Sequence, residues 1–406
     1  MTAQHRRAPT RQAARQRKLI VRGLAVAVTA LVGLSSWWLM SADGTPAKLP
    51  ATAPARSAAP AAPTKPPAPA TTAVIASLGL TASGPSHLSS GSDPSVMPGP
   101  ILIADGDGDR VLIIDTRGRT MWQFPRPGVK QIGQTFKAPE AAWFTPNGKQ
   151  VVVASEDYNT IRVIDIATDK IVYTYGASGI AGSGPNRLDR PDSVLMLPSG
   201  DLLAPDAGNC RIVVIPAGGH AVTRQLGKTG TCVHRPPQTF SDPSGLFPMT
   251  NGHYLVTEGK GGWVTEMTLA GKVSWSIRVP GVSAIYATTE VGPDLYATAD
   301  HVSPGQVLTF DHTGKVLWRY APTGRKALNK PSLVLALPNG DYLVSDKVNN
   351  RLIVVDPRTD TVVWQYGHTK VAGSSPGYLN NPTGMDLYPP DSMLVTHAPT
   401  MAAATP

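Results

Sequence analysis

One pattern recurs six times in this chain, and it restricts what the chain can fold into. An apolar run ends in an acid: ILIAD at Asp105, VVVASE at Glu156, LLAPD at Asp206, YLVTE at Glu258, LYATAD at Asp300 and YLVSD at Asp346, at spacings of 51, 50, 52, 42 and 46 residues. The clearest copy lies around Tyr342–Gly367. There, apolar runs at Tyr342–Ser345, Leu352–Asp356 and Thr361–Tyr366 are separated by short turns, which reads as consecutive antiparallel strands. Leu333–Leu337, followed by Pro338-Asn339-Gly340-Asp341, supplies one more strand and its hairpin turn. An aromatic recurs in each of five fourth strands, as Trp122, Tyr173, Trp275, Trp318 and Trp364. Four strands per unit at this period give an all-β chain, a six-bladed β-propeller over residues 97–392. The repeated Trp residues occupy one place in the repeat and are expected to pack between blades.

The first copy lacks an innermost strand, because only SDPSVMPGP precedes Ile101. At the other end, Asn381–Tyr388 matches the inner strands of the other copies. The C-terminal strand is therefore expected to complete blade 1 and close the ring, which leaves no free edge. Cys210 opens a third strand and Cys232 follows the fourth strand of the same copy. Antiparallel neighbours bring these points together, so a disulfide is expected.

The turns Asp105-Gly-Asp-Gly-Asp-Arg110, Asp206-Ala-Gly-Asn-Cys-Arg211 and Asp346-Lys-Val-Asn-Asn-Arg351 resemble the Asp-x-x-Asn-x-Arg turn of NHL repeats. The Trp-x-Tyr-Gly fourth strands are similar to PQQ-type propeller repeats. Both resemblances, spanning roughly Pro98 to Tyr388, imply a propeller. They also imply a range of activities, from receptors and scaffolds to lyases and lactonases.

In such a propeller the loops joining second to third strands share one face with those entering each inner strand. The six acids should ring that face. Four have a basic companion, giving expected turn pairs Asp105–Arg110, Glu156–Arg162, Asp206–Arg211 and Asp346–Arg351 held by charge-assisted hydrogen bonds. Glu258 and Asp300 lack the arginine. They are expected to be unpaired, to tolerate amide substitution without loss of stability, and to form a binding patch with His301, Trp263, Asp192 and Asp242. Lys330, His234 and His368 fall in neighbouring loops. No cofactor is predicted and no metal is assigned. Ca²⁺ or Zn²⁺ at these carboxylates and histidines would have no motif spacing behind it, and Asp105-Gly-Asp-Gly-Asp109 lacks the downstream Glu of a calcium loop. No nucleophile elbow, phosphate loop or dinucleotide fingerprint is present.

Charge is uneven along the chain. Of the net +9, residues 1–22 hold +7, as Arg6, Arg7, Arg11, Arg15, Arg17, Lys18 and Arg22 with no acid. That leaves nothing in the folded part to suggest nucleic-acid binding. The basic run precedes an uncharged stretch over residues 23–40 ending in Trp37-Trp38 and Leu39-Met40, which reads as one membrane-spanning helix, N-terminus inside. Residues 41–96 are Pro/Ala/Ser-rich and read as a disordered spacer. Residues 393–406 read as a tail. The sequence thus describes a monomeric, single-pass protein of the cell membrane presenting its propeller outside the cytoplasm. Its expected work is binding or scaffolding of a protein, peptide or envelope glycan, with no enzymatic activity assigned. The alternatives are a metal-dependent lyase or lactonase and a PQQ-like assembly scaffold.

Overall fold

The computed structural model of the chain describes residues 78–129 and 136–388. The basic tail, the apolar stretch 23–40, most of the spacer and the tail 393–406 lie outside the described residues. Among the described residues no helix is long and apolar enough to cross a membrane.

Six four-stranded antiparallel sheets form the six blades. Blade 1 runs from the innermost strand Pro382–Leu387 through Ile101–Asp105 and Arg110–Ile114 to Thr120–Phe124. Its ladder pairs Ile101 with Leu387 and Ile103 with Met385, so the C-terminal strand closes the ring as the repeat pattern required. Blade 6 runs Val334–Ala336, Tyr342–Asp346, Arg351–Asp356, Thr361–Gly367. The continuous apolar runs are second and third strands buried on both faces, as between Leu343 and Val354, which share one register pair at 0 % exposure.

The fourth-strand aromatics pack across the seams between blades. Trp122 donates its indole N–H to Asp169 of the next blade at 2.7 Å, Trp318 to Asp360 at 2.9 Å, and Trp364 to the Thr116 carbonyl at 3.0 Å. Trp275 lies 5.0 Å from Tyr296 of blade 5.

A disordered spacer up to residue 96 does not describe its final portion, which is ordered against the propeller. Ser89 donates its backbone N–H to Gln365 O at 3.0 Å and Asp93 to Val363 O at 2.9 Å, covering the exposed edge of blade 6's outer strand. His87 reaches the Arg117 carbonyl of blade 1, while Leu88 packs beside the main core. The Pro/Ala/Ser-rich composition hid an attachment that combines these backbone bonds with apolar side chains: Leu88 and Val96 pack on the main core, and Leu78 and Leu80 on a second one. An outer edge is capped at the seam where the ring closes.

The expected disulfide is present. Cys210 and Cys232 are bonded, with Cα atoms 5.2 Å apart, and no free cysteine remains among the described residues.

Candidate functional site: the axial funnel

Three of the four expected turn pairs form. Arg Nε meets the carboxylate at 2.7 Å in Asp105–Arg110 and at 2.8 Å in Asp206–Arg211 and Asp346–Arg351, with each acid at 0 % exposure. The arginine then extends outward to a glutamine of the fourth strand: Gln123, Gln225 or Gln365.

The Glu156–Arg162 pair does not form. In blades 1, 3 and 6 the third strand is preceded by a left-handed residue, Asp109, Cys210 or Asn350; in blade 2 that residue is Asn159. The strand pair closing the turn is accordingly Ser155↔Thr160, where the other blades have Asp105↔Arg110, Asp206↔Arg211 and Asp346↔Arg351. Glu156 stands one residue past the acid position, and Arg162 two past the arginine position. Arg162 donates to Thr160 Oγ1 at 2.6 Å and makes no ion pair among the described residues.

Glu258 and Asp300 are not unpaired either. Glu258 is fully buried and accepts from His234 Nδ1 at 2.6 Å, Ser241 N at 2.5 Å and Ser241 Oγ at 2.6 Å. Asp300, 2 % exposed, accepts from the Ser283 and Ala284 amides at 2.9 and 3.1 Å and from Gln306 Nε2 at 3.0 Å. His234 from the preceding loop replaces the arginine in blade 4, and Gln306 at the arginine position replaces it in blade 5, so both carboxylates are held within the fold. Trp263 stacks on His234 with ring centres 3.8 Å apart, and His368 stacks on Tyr378 at 4.0 Å. Lys330 takes a left-handed turn, φ 50°, ahead of the blade 6 inner strand.

What does converge is a different set. The strand registers align the chain entering each inner strand, and one position per blade faces the axis: Thr383, Glu140, Asp192, Ser244, Tyr286 and Ser332 in blades 1 to 6. All six line a cavity of about 50 Å³ to which every blade contributes. A second ring comes from the residue after the acid position. It is glycine or alanine in blades 1, 3 and 4 but Glu156, His301 and Lys347 in blades 2, 5 and 6. Asp192 and His301 of the expected patch therefore belong to the funnel, Asp242 is tied to it through Arg190, and Glu258, Asp300 and Trp263 lie outside it.

Lys347 Nζ meets Glu140 Oε1 at 2.7 Å. Arg190 lies 3.0 Å from Asp242 and 3.7 Å from Glu156. Four carboxylates thus face two cations. One oxygen from each of Glu140, Glu156 and Asp192 can be chosen so that all lie within 4.8 Å of one another. Burial, then the neighbouring Glu140 and Asp157, push the Glu156 carboxyl up to about 7. Burial and the Glu156, Glu140 and Asp242 charges hold Asp192 well above the usual carboxylate range. Burial would lower Lys347, but the Glu140 carboxylate wins and holds it up. Tyr286, 37 % exposed at the mouth, is pushed to about 12 by burial and the same acids, so its phenol keeps its proton at neutral pH. His301 lies edge-on to Tyr286 at 4.8 Å, with Nδ1 3.2 Å from the Pro331 carbonyl.

A cavity of this size holds a few waters or a bare ion, so any larger ligand must sit in the mouth and insert a small group. A larger cavity, about 490 Å³, lies on the flank of blade 1, beneath Leu78–Thr81 and beside Trp122 and Tyr366. Its two arginines, Arg110 and Arg126, are paired with Asp105 and Asp169.

No curated protein matches the chain. Among solved structures, a protein of unknown function from Bacteroides caccae is 15 % identical with a TM-score of 0.49, covering 71 % of this chain and 97 % of that one. The virginiamycin B lyase of Staphylococcus aureus is 15 % identical with a TM-score of 0.46, covering 70 % and 87 %. A hydrazine synthase of Kuenenia stuttgartiensis is 16 % identical with a TM-score of 0.43, covering 68 % and 77 %. None of these carries a functional argument. Residues 211–381 match the PQQ-type repeat family described as outer membrane protein assembly factor BamB, and the chain folds as a six-bladed propeller.

Proposed function

We propose that this protein is a binding module whose axial funnel receives a positively charged group, an amine or guanidinium, presented by a protein or peptide partner. One observation carries this reading. No protein donor reaches the Asp192 carboxylate among the described residues, and it shares the axis with Glu140 and Glu156. Carboxylates gathered at a low-dielectric mouth repel one another and raise each other's pKa until a cation arrives. Lys347 and Arg190 relieve part of that repulsion and leave two carboxylates over.

The same reading takes residues 23–40 as a membrane anchor and the Pro/Ala-rich stretch as a spacer holding the propeller outside the cytoplasm. A scaffold role follows from the same surface, since a module that captures a cationic loop or tail can hold a larger assembly together. Titration calorimetry of the purified protein with a hexalysine peptide tests the funnel. Saturable binding that Asp192→Asn and Glu140→Gln each weaken at least tenfold supports it. Binding unchanged by both variants overturns it.

A second reading rests on the oxygen set itself. Three carboxylates within reach of one point suit a hard divalent cation, with the protonated Tyr286 phenol as an available acid beside it. Those residues fit a metal-assisted lyase or lactonase. Saturable Ca²⁺ or Zn²⁺ binding that displaces hexalysine, and is lost in Asp192→Asn, would favour it over peptide capture.

A further inference from the structure

We propose that Ser276, His234 and Glu258 form a Ser–His–Glu relay in blade 4, giving the protein a carboxylic-ester-hydrolysing site separate from the axial funnel. The relay stands where the repeat rule is broken. In blades 1, 3 and 6 the buried acid is followed outward by an arginine and a fourth-strand glutamine. Blade 5 exchanges the last two, with Gln306 on Asp300 and Arg319 on Gln306. In blade 4 the arginine position, opposite Glu258, is Trp263, and the glutamine position, opposite Thr265, is Ser276. The intervening base is His234, delivered by the loop that follows blade 3.

The geometry fixes each role. His234 Nδ1 lies 2.6 Å from Glu258 Oε1, and Glu258 Oε2 accepts from Ser241 N and Oγ. With carboxylate oxygen facing it, Nδ1 carries the ring proton, which leaves the Nε2 lone pair directed at Ser276 Oγ, 3.3 Å away. The fully buried Thr265 hydroxyl sits 2.7 Å from Ser276 Oγ. Donating there, it turns the Ser276 proton toward His234. Trp263 lies flat on the imidazole, at 11° between ring planes, and holds its orientation. The Cys210–Cys232 bond anchors the same loop two residues before His234.

Exposure runs in the order a relay needs. Glu258 is sealed at 0 %, the His234 side chain is 18 % exposed, and Ser276 is half-buried on the outermost strand, where a substrate can reach it. A nucleophile, a base and an acid that orients the base are recognised by these roles rather than by chain order. The Trp263 indole and the exposed Val233 beside the site are apolar, which suits an uncharged, short-chain acyl ester.

In the reaction, Ser276 Oγ bonds to the acyl carbon while its proton passes to His234 Nε2. The bond from acyl carbon to alkoxy oxygen breaks, and the alcohol departs with that proton. Water then attacks the acyl-serine by the same route, releasing the carboxylic acid and restoring Ser276. Glu258 keeps Nδ1–H in place and balances the imidazolium, and no reactant beyond ester and water is required.

The full-length protein is treated with diisopropyl fluorophosphate, whose P–F bond breaks as Ser276 Oγ bonds to phosphorus, and the adduct is mapped by peptide mass spectrometry. In parallel, 4-nitrophenyl acetate hydrolysis is followed between pH 5 and 9. The expected result is a single adduct on Ser276, absent in Ser276→Ala, which keeps the folded circular-dichroism spectrum of the wild type. Ester hydrolysis should rise with pH, as general-base catalysis requires, and fall about 100-fold in His234→Gln. A purely structural hydrogen-bond chain predicts no adduct on the wild-type protein. That result, an adduct on another residue, or equal labelling of His234→Gln overturns the proposal.

Discussion

Asp300→Asn separates a carboxylate built into the fold from one left open to a ligand. In the structure, Oδ1 accepts from two backbone amides, of Ser283 and Ala284, and Oδ2 accepts from Gln306 Nε2. An asparagine keeps one acceptor oxygen for the two amides and turns its NH₂ toward the Gln306 NH₂. Gln306 has no easy way to adapt, because its Oε1 already accepts from Arg319 and its Nε2 also donates to Gly281 O at 2.7 Å. Flipping that amide would set nitrogen against Arg319. The variant therefore loses one charge-assisted bond and leaves a buried donor unmatched at a site only 2 % exposed, a loss of about 1–3 kcal/mol. For a domain of this size that is a drop of about 5 °C in melting temperature. The comparison is Asp157→Asn on the exposed part of the blade 2 turn, which should stay within about 0.5 kcal/mol of wild type. Melts followed by tryptophan fluorescence at pH 7.5 read both. If Asp300→Asn melts within 1 °C of wild type, the hydrogen bonds around Asp300 do not hold it, and the assignment of this acid to the fold is wrong.

The other predictions can be stated briefly. Arg351→Ala strands the fully buried Asp346 and should cost about 3–5 kcal/mol in urea unfolding. Glu156 has a folded-state pKa near 7 against an ordinary 4.5, so the folded chain holds a proton that the unfolded chain has lost between those values. Stability should therefore fall as pH rises from about 4.5 to 7, and Glu156→Gln should flatten that fall in melts at pH 5 and 8. Thiol titration of the denatured, unreduced protein should find no reactive cysteine. Cys232→Ser, opening a loop of 22 residues, should lower stability by about 3 kcal/mol in the same urea assay. Truncation after Leu379 removes the innermost strand of blade 1 and should give an aggregating product in size-exclusion chromatography; a soluble product with an unchanged melt would refute the closure.

The blades and their closure were legible because they depend on local pattern: apolar runs of strand length, turn residues between them, and a repeat near fifty residues. The disulfide was legible for the same reason, since both cysteines lie at ends of neighbouring strands. The site was not, for two physical reasons. A one-residue offset in blade 2 is invisible in composition, since VVVASE ends in an acid like its siblings. Yet the left-handed Asn159 sets the turn so that Ser155 takes the buried position and Glu156 faces the axis. Second, Glu258 takes His234 from a loop 24 residues away, while Asp300 takes the Ser283 amide from 17 residues away and an amide side chain, Gln306, at the place of the arginine. No search for an arginine five residues downstream finds His234 or the Ser283 amide. One signal for the funnel was present and unused: in five blades the residue after the proline that leads the inner strand faces the axis, as Glu140, Asp192, Ser244, Ser332 and Thr383.

Departures from the repeat sort into two kinds, and both place chemistry where a perfect repeat would have none. Blades 1, 3 and 6 keep the buried acid–arginine–glutamine chain, whose groups satisfy one another and offer nothing to a ligand. Blade 2 gives up that pair altogether, replacing it with Ser155 and Thr160, and the carboxylate displaced by one residue joins the axis. Blade 4 keeps the acid but exchanges a permanently charged arginine for an imidazole, a group that gives and takes protons near neutral pH. Sequence rules fail at functional sites more often than elsewhere, because function requires groups that the fold alone would pair or omit. By that criterion blade 2 marks the funnel and blade 4 marks the relay. Blade 5, which only swaps the order of arginine and glutamine, conserves the chain's composition and is structural. The distinction is measurable. Restoring the consensus in blade 5, as Gln306→Arg with Arg319→Gln, should leave hexalysine binding and ester hydrolysis unchanged. Ser276→Gln, which restores the fourth-strand consensus residue in blade 4, should abolish hydrolysis while leaving hexalysine binding intact. If the blade 5 exchange disturbs either activity, irregularity in the repeat is no guide to where this propeller works.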